Sequence, residues 1–352
     1  METAQLELLV ESLDGAGLGP HLCVSPDGSR ILALRHGGRI LGLFPSECDR
    51  SFFWTNRAIS AGETAREWAA SREWHNSGGD RTWLAPEVDF YFPDFPSLEK
   101  YRPPIEFDPG NYRLEVAGGF PILSNRFTVR APGQQRSFEC EVVKRVSAAP
   151  DPGPCDGLEY AGYTLTTSLR LLPPLPEAPW RVGLWNLLQM PHGGELLVPT
   201  SSLAEVRVLF GSIGSDDLEI SARMVRYRMR AQGNHKLGIG PAPLTGRAGY
   251  LYQEGGDACL IARNFHVDPA GEYVDIPWSE PPGPGAAFQA CNIDSDLGSF
   301  SELEYHAPAL VSSSGATFCE DSSVVWAFRG SPALIRKAAT ELLPDGAQRG
   351  AQ

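Results

Sequence analysis

Short apolar runs bounded by turn residues dominate the chain, and this pattern predicts many strands and few helices. The runs Arg30–Leu34 and Arg39–Phe44 flank His36-Gly37-Gly38, which predicts a β-hairpin. The same pattern resumes from Asn111 onward. Further strands are predicted at Arg126–Arg130, Ser137–Val146, Tyr163–Leu172, Ala258–Phe265, Phe300–Tyr305 and Ser323–Phe328.

Residues 225–230 show the clearest strand periodicity in the chain. Apolar and basic side chains alternate there, which places one kind on each face of a strand. We expect the basic face to be solvated rather than to bind an acidic ligand. The alternating residues are Val225, Arg226, Tyr227, Arg228, Met229 and Arg230.

Helical patterns are confined to three places. The first dozen residues have a partial apolar face, and residues 61–74 are rich in Ala, Glu and Arg. Ser331–Leu343 begins with a Ser N-cap and a Pro at the first helical position. Residues 89–110, crowded with Pro, Asp and aromatic residues, predict a long ordered loop.

Many short strands with almost no strand–helix alternation predict an all-β fold of twisted antiparallel sheets. We expect an N-terminal extension over 1–20, one domain over 21–330, and a C-terminal helix and tail over 331–352. The glycine-rich nucleotide motifs, the GxSxG nucleophile motif and the HExxH zinc motif are absent from the sequence. No cofactor is therefore expected.

Charge and cysteine content narrow the class of partner. The 352 residues carry a net charge of −13, which opposes binding to nucleic acid and to anionic membranes. The seven cysteines lack CxxC or zinc-ligand spacing, so we expect reduced packing residues and no metal site. The N-terminus lacks a signal-peptide pattern, which favours a cytoplasmic protein. We expect the protein to be a monomer or a homodimer.

Four segments, taken in order, resemble the galactose mutarotase-like (aldose 1-epimerase) superfamily, in a bacterial branch. The first is GGRILGLFP (37–45) followed by FFWTN (52–56), and the second is GGDRTWLAPE (78–87). The third is WNLLQMPH (185–192). The fourth is ELEYHAP (302–308) with GAT (315–317) and VVWAF (324–328). The resemblance is spread over residues 20–330 as separate islands.

The resemblance implies a β-supersandwich with a carbohydrate site in a cleft on one sheet. It also implies a Glu base and a His acid, the two groups that ring opening at an anomeric carbon needs. Glu304, on the closing strand, is the expected base, and Glu302 lies two residues earlier on the same face. Two adjacent carboxyl groups raise one pKa toward neutrality.

The acid is less clear, because Leu188-Gln189 stands where the family's His is expected. Gln189 cannot act as a general acid, so we place it among the substrate-binding residues. His192, three residues later, is the expected replacement. His75 and His306 are further candidates for substrate binding, although a single His is often an ordinary structural residue.

Arg81 is the leading candidate for a substrate-binding residue, since a guanidinium offers several donors in one plane. It could instead form a structural ion pair with Asp80 or Glu87. Trp83 could stack on a sugar or belong to the core, and Glu87 could act as a second carboxylate or orient Arg81. Lys236 is a candidate hydroxyl contact.

Three functions remain open from the sequence. The first is an isomerase acting at the anomeric carbon of an aldose. The second is another carbohydrate enzyme on the same scaffold, such as a hydrolase or lyase, with two carboxyl groups across a bond. The third is a sugar-binding protein without catalysis. All three take a small-molecule carbohydrate as the partner.

Overall fold

The computed structural model describes residues 4–71, 73–153, 156–278, 280 and 283–344. Within these residues the chain forms two antiparallel sheets of ten strands each, which confirms the predicted all-β class. The first sheet has the order β1-β2-β3-β4-β9-β18-β17-β14-β11, with β19 paired to β9. The second has the order β12-β13-β10-β15-β16-β20-β8-β7-β6-β5.

The first sheet carries the candidate site. Its strands are β1 (Pro20–Val24), β2 (Arg30–Leu34), β3 (Arg39–Phe44), β4 (Asp80–Ala85), β9 (Arg181–Pro191), β11 (Val206–Phe210), β14 (His235–Ile239), β17 (Phe288–Ser295), β18 (Gly298–His306) and β19 (Leu310–Val311).

The second sheet contains the longest strands. Its strands are β5 (Arg113–Ala117), β6 (Phe120–Ala131), β7 (Arg136–Ala148), β8 (Glu159–Leu172), β10 (Glu195–Pro199), β12 (Leu218–Ile220), β13 (Met224–Arg228), β15 (Arg247–Glu254), β16 (Asp257–Phe265) and β20 (Phe318–Gly330).

The predicted strands and the hairpin after Leu34 are confirmed, with boundaries that differ by a few residues. The alternation over 225–230 is confirmed as well, since Val225, Tyr227 and Met229 are buried. The long loop over 89–110 is interrupted by a turn of π-helix at Glu106–Gly110. A short helix, α3, spans Glu87–Phe90 and leads into this loop.

The three predicted helices are present as α1 (Ala4–Gly15), α2 (Gly62–Ala70) and α4 (Pro332–Leu342). Helix α2 ends at Ala70, short of the predicted limit at residue 74, because Ser71 is in an extended conformation. Helices α1 and α2 pack on β1–β3 through residues such as Leu13 and Trp68. Helix α4 packs on the second sheet, with the Ser331 side chain accepting from the Leu334 N–H.

The main core lies between the sheets, where alternate residues of the first sheet, such as Leu188, Leu237 and Leu303, meet the second. One ion pair is buried in this core: Arg263 Nη1 donates to Asp80 Oδ1 at 3.1 Å, and both side chains are fully buried. The Tyr163 hydroxyl donates to the other Asp80 oxygen at 2.6 Å.

Six cysteines are described, and all six are free; Cys155 lies outside the described residues. No helix in the described ranges is long and apolar enough to cross a membrane.

Candidate functional site

A cluster of buried charges lies on the face of the first sheet that points away from the second sheet. Strand alternation puts it there, because Leu188, Leu237 and Leu303 point into the main core and their neighbours point the other way. Five neighbouring strands contribute to the face. The residues brought together are Arg81, Trp83, Trp185, Gln189, Lys236, Gln289, Cys291, Glu302, Glu304 and His306.

Glu302 is held by two donors from neighbouring strands. Arg81 Nη2 donates to Glu302 Oε1 at 3.0 Å, and Gln189 Nε2 donates to the same oxygen at 2.8 Å. The alternative prediction that Arg81 forms an ion pair with Asp80 or Glu87 is therefore wrong. Asp80 has the opposite strand parity and faces the main core, while Glu87 pairs with another cation.

Aromatic rings fix the orientation of Arg81. Its guanidinium carbon lies 3.9 Å from the Trp83 ring centroid and 5.8 Å from that of Trp74. A further donor, Nη1, binds the Asn76 side-chain oxygen at 2.9 Å. Trp83 is buried, and its indole N–H donates to Asp108 at 2.7 Å, so it supports Arg81 from within the core.

Glu304 has one occupied and one free carboxylate oxygen. Its Oε2 accepts from Trp185 Nε1 at 2.7 Å and lies 3.0 Å from Lys236 Nζ. Its Oε1 is buried and has no hydrogen-bond partner in the described parts of the chain. Burial raises the pKa of Glu304 to about 8; Lys236 opposes this effect, and the charges of Glu302 and Glu87 add to it.

Lys236 links Glu304 to a second carboxylate. Its ammonium lies 3.6 Å from Glu87 Oε2 and 4.3 Å from the Trp185 ring centroid. Burial alone lowers the pKa of Lys236, but the carboxylates of Glu304 and Glu87 outweigh burial and raise it. The ammonium therefore stays charged in the neutral pH range.

Glu87 does not orient Arg81, contrary to one sequence-based reading. Its two oxygens accept from the Tyr101 hydroxyl at 2.7 Å and from the Trp278 indole at 3.1 Å. Burial raises the pKa of Glu87, Lys236 lowers it, and the charge of Asp275 raises it further. Glu87 therefore joins the buried cluster to the aromatic residues that cover it.

His306 shares a face of β18 with the two glutamates, because it follows Glu304 by two residues along the strand. Its ring stacks on Trp185 at 5.6 Å and is fully buried, and neither nitrogen has a partner among the described residues. Burial, aided by the Lys236 charge, lowers the pKa of His306 well below its usual value. The imidazole is therefore neutral.

The structure does not bring His192 and His75 into this cluster. His192 lies in the turn after β9, where its Nε2 contacts the Ala231 carbonyl at 3.3 Å. His75 lines a separate cavity of about 160 Å³, with its ring 5.8 Å from Trp68. Trp74 lines the same cavity and contacts Arg81, so it separates the cavity from the cluster.

Sequence reasoning missed four buried polar members of the site. Asp275 accepts from the Glu87 backbone N–H and from Gln289 Nε2, both at 2.6 Å, and Asn76 holds Arg81. The sequence signal for Gln289 and Cys291 is their period-two spacing on one strand. Asp275 and Asn76 lie in irregular segments, where no such period exists.

Cys291, Glu302 and Glu304 each offer a ligand atom, and these three atoms lie within 4.8 Å of one another. The chain already supplies cations to this group, since Arg81 pairs with Glu302 and Lys236 pairs with Glu304. Burial raises the pKa of the Cys291 thiol well above its usual value. These features favour proton chemistry over metal binding.

The cluster is covered rather than open. Glu304 is completely inaccessible to solvent and Lys236 is 2% exposed. The Tyr101 and Trp278 rings stack on each other over Glu87, with their centroids 5.9 Å apart, and form the outer layer of the cluster. Tyr101 is exposed on this outer side. We call these two rings the aromatic cover.

Comparison with known proteins gives no family for this chain. No protein-family model and no curated protein matches it. Among solved structures, the crystal structure of HI1317 is similar with a TM-score of 0.44 and 9% identity, covering 88% of this chain and 95% of that one. Galactose 1-epimerase from Lactobacillus acidophilus NCFM is similar with a TM-score of 0.45 and 8% identity, covering 88% and 94%. Similarity at this level assigns neither a family nor an activity.

Proposed function

We propose that the protein is a carbohydrate isomerase that acts at the anomeric carbon of an aldose, with Glu304 as the proton-transfer group. One observation carries the proposal: Glu304 combines a pKa of about 8 with a buried oxygen that has no hydrogen-bond partner among the described residues. A group with this pKa exchanges protons readily near neutral pH. The position of Glu304 on β18 also agrees with the base implied by the sequence resemblance.

The reaction needs a proton to leave the anomeric hydroxyl and another to reach the ring oxygen as the ring C–O bond breaks. Glu304 Oε1 accepts the first proton. Lys236 keeps its charge and fixes the other Glu304 oxygen, so it positions the base without exchanging a proton itself. Neutral His306, whose ring nitrogens have no partner among the described residues, donates a hydrogen bond to the ring oxygen, and Glu304 returns the proton it has taken to that oxygen as the C–O bond breaks. His192 lies outside the cluster and has no role in this scheme.

Substrate entry requires the cluster to open. The cavity beside Trp74 provides the approach, since Trp74 and Trp68 present flat apolar surfaces that suit the C–H face of a sugar. Displacement of Trp74 exposes Arg81, whose guanidinium then offers donors to hydroxyl groups. The aromatic cover closes the Glu87 side and keeps water away from Glu304.

Exchange NMR on a panel of aldoses tests the proposal by comparing the α and β anomer exchange rates with and without protein. We expect Glu304→Gln to lower the catalysed rate by about 10²–10⁴-fold, the usual contribution of a general base. Glu320→Gln is the matched control, because Glu320 is a half-exposed carboxylate on β20 far from the cluster. Absence of acceleration with every aldose would exclude the isomerase.

The pairing of Glu302 favours a second candidate, a sugar-binding protein without turnover, because Arg81 and Gln189 already occupy one of its carboxylate oxygens. This candidate predicts thermal stabilisation by a sugar that persists in Glu304→Gln and no exchange above buffer. The alternative that the protein is a glycoside hydrolase has less support. Lys236 lies between Glu304 and Glu87, in the space that a glycosidic bond requires.

A further inference from the structure

A second cavity, separate from the charged cluster, is lined by basic side chains. It has a volume of about 450 Å³ and lies where the turn after β9 meets the first turn of α4. Arg228, Arg230 and Arg336 line it together with His192. The chain as a whole carries a charge of −13, whereas three of the side chains that line this cavity are arginines.

The acidic residues nearby neutralise these arginines only in part, since Arg228 and Arg230 have carboxylate partners and Arg336 has none among the described residues. Glu195 is the only carboxylate among the described lining residues, and Arg226 and Arg228 share it at 3.9 and 3.7 Å. Asp217 pairs with Arg230 at 2.8 Å. Among the described residues, Arg336 has no carboxylate partner, so its charge is available to a ligand.

A backbone carbonyl holds one of the arginines in place before any ligand arrives, and a carboxylate holds another. Arg228 Nη1 donates to the Asp216 carbonyl at 2.6 Å, and Arg230 is anchored by Asp217. Arg228 lies on β13, where it alternates with Val225 and Tyr227 of the main core, and Arg230 lies two residues beyond the end of that strand. Preorganised guanidinium groups bind phosphate oxygens well, since less side-chain entropy is lost.

Part of the cavity wall is apolar, and this part bears on the kind of anion that would fit. Leu251, Tyr252, Pro332 and Ile335 line it beside the basic groups. Inorganic phosphate would leave these surfaces uncovered. A phosphate monoester with a small organic part would place its phosphate on the arginines and its organic part on this wall.

We propose that this cavity binds a small phosphate monoester, with Arg336, Arg228 and Arg230 holding the phosphate. Phosphate takes bidentate, charge-assisted hydrogen bonds from guanidinium groups, which are stronger than neutral ones. The site does not depend on the proposed isomerase activity. It also gives His192, which the charged cluster does not use, a place beside the ligand.

Titration calorimetry with phenyl phosphate, inorganic phosphate and phenol tests the site. Phenyl phosphate should bind most tightly, and its affinity should fall as salt concentration rises, since the attraction is between charges. Phenol should not bind. Equal affinity for phenyl phosphate and inorganic phosphate would overturn the monoester assignment in favour of free phosphate.

Substitution at Arg336 distinguishes this cavity from other basic surface. We expect Arg336→Gln to weaken phenyl phosphate binding by about tenfold, equivalent to about 1.4 kcal/mol. Lys337→Gln is the matched control, since Lys337 is adjacent on α4, is exposed and pairs with Glu341 outside the cavity. Equal losses in the two variants, or no saturable binding by the wild type, would overturn the proposal.

Discussion

The Lys236 ammonium lies 3.0 Å from Glu304 Oε2, although the two side chains come from strands separated by a third strand. Burial favours the neutral form of Glu304, whereas the ammonium favours the charged form. The balance holds the pKa of Glu304 at about 8 rather than higher. The pair therefore sets the pH at which the site changes its protonation state.

Replacing Lys236 with Met should shift the pH dependence of anomer exchange. The catalysed rate of the wild type should rise as pH passes through about 8, where Glu304 becomes a base. Without the ammonium the pKa of Glu304 rises further, so the ascending limb should move to higher pH. A pH–rate profile from exchange NMR measures this shift. An unchanged profile in a folded variant would contradict the role given to Lys236.

Glu304 should also make the stability of the protein depend on pH. The folded protein retains this proton up to about pH 8, whereas the unfolded chain loses it near 4.5. Stability from this group is therefore complete below pH 4.5 and declines as pH rises to about 8. Urea unfolding across this range should show wild type losing stability relative to Glu304→Gln. A constant difference between the two proteins would contradict the raised pKa.

Asp80→Asn should destabilise the fold strongly, because it leaves Arg263 charged and fully buried without its partner. Breaking a buried ion pair on one side costs about 3–5 kcal/mol. Urea unfolding measures the loss. Glu139→Gln provides the control, since Glu139 pairs with the exposed Arg126, and exposed pairs contribute less than about 1 kcal/mol. Similar losses in both variants would show that the buried pair contributes little.

Gly79→Ala should be more damaging than Gly118→Ala. Both glycines have positive φ, at 78° and 59°, where an L-residue costs about 1–2 kcal/mol. An added methyl group at Gly79 would also overlap the Ile40 carbonyl oxygen on β3, whereas the space around Gly118 is open. Thermal unfolding should therefore show a larger loss for Gly79→Ala. Equal losses would mean that the contact with β3 can relax.

The fold was predictable from the sequence because strand periodicity is local. Residues 225–230 fix which side chains face the core without reference to any other segment, and Ser331-Pro332 marks the start of α4 by capping chemistry alone. The end of α2 was predicted too late. Tertiary contacts of Trp74 with Arg81 and Trp83 override the helical propensity of that segment.

The site was predictable only where its residues follow a strand period. Glu302, Glu304 and His306 share a face because they are two residues apart, and the sequence shows this directly. The partner of Arg81 is Glu302, 221 residues away, and no local pattern indicates such a pair. His192 is near Gln189 in sequence but lies outside the cluster, because β9 ends at Pro191 and the turn that follows takes the chain away from the sheet face.

Strand β4 carries opposite charges on consecutive residues: Asp80 meets Arg263 between the sheets, and Arg81 meets Glu302 on the other face. A slip of one residue would exchange their faces. Arginine would then oppose arginine on one side, and aspartate would oppose glutamate on the other. Both buried pairs would become repulsive at once, so electrostatics locks the alignment of this strand as firmly as its hydrophobic pattern does.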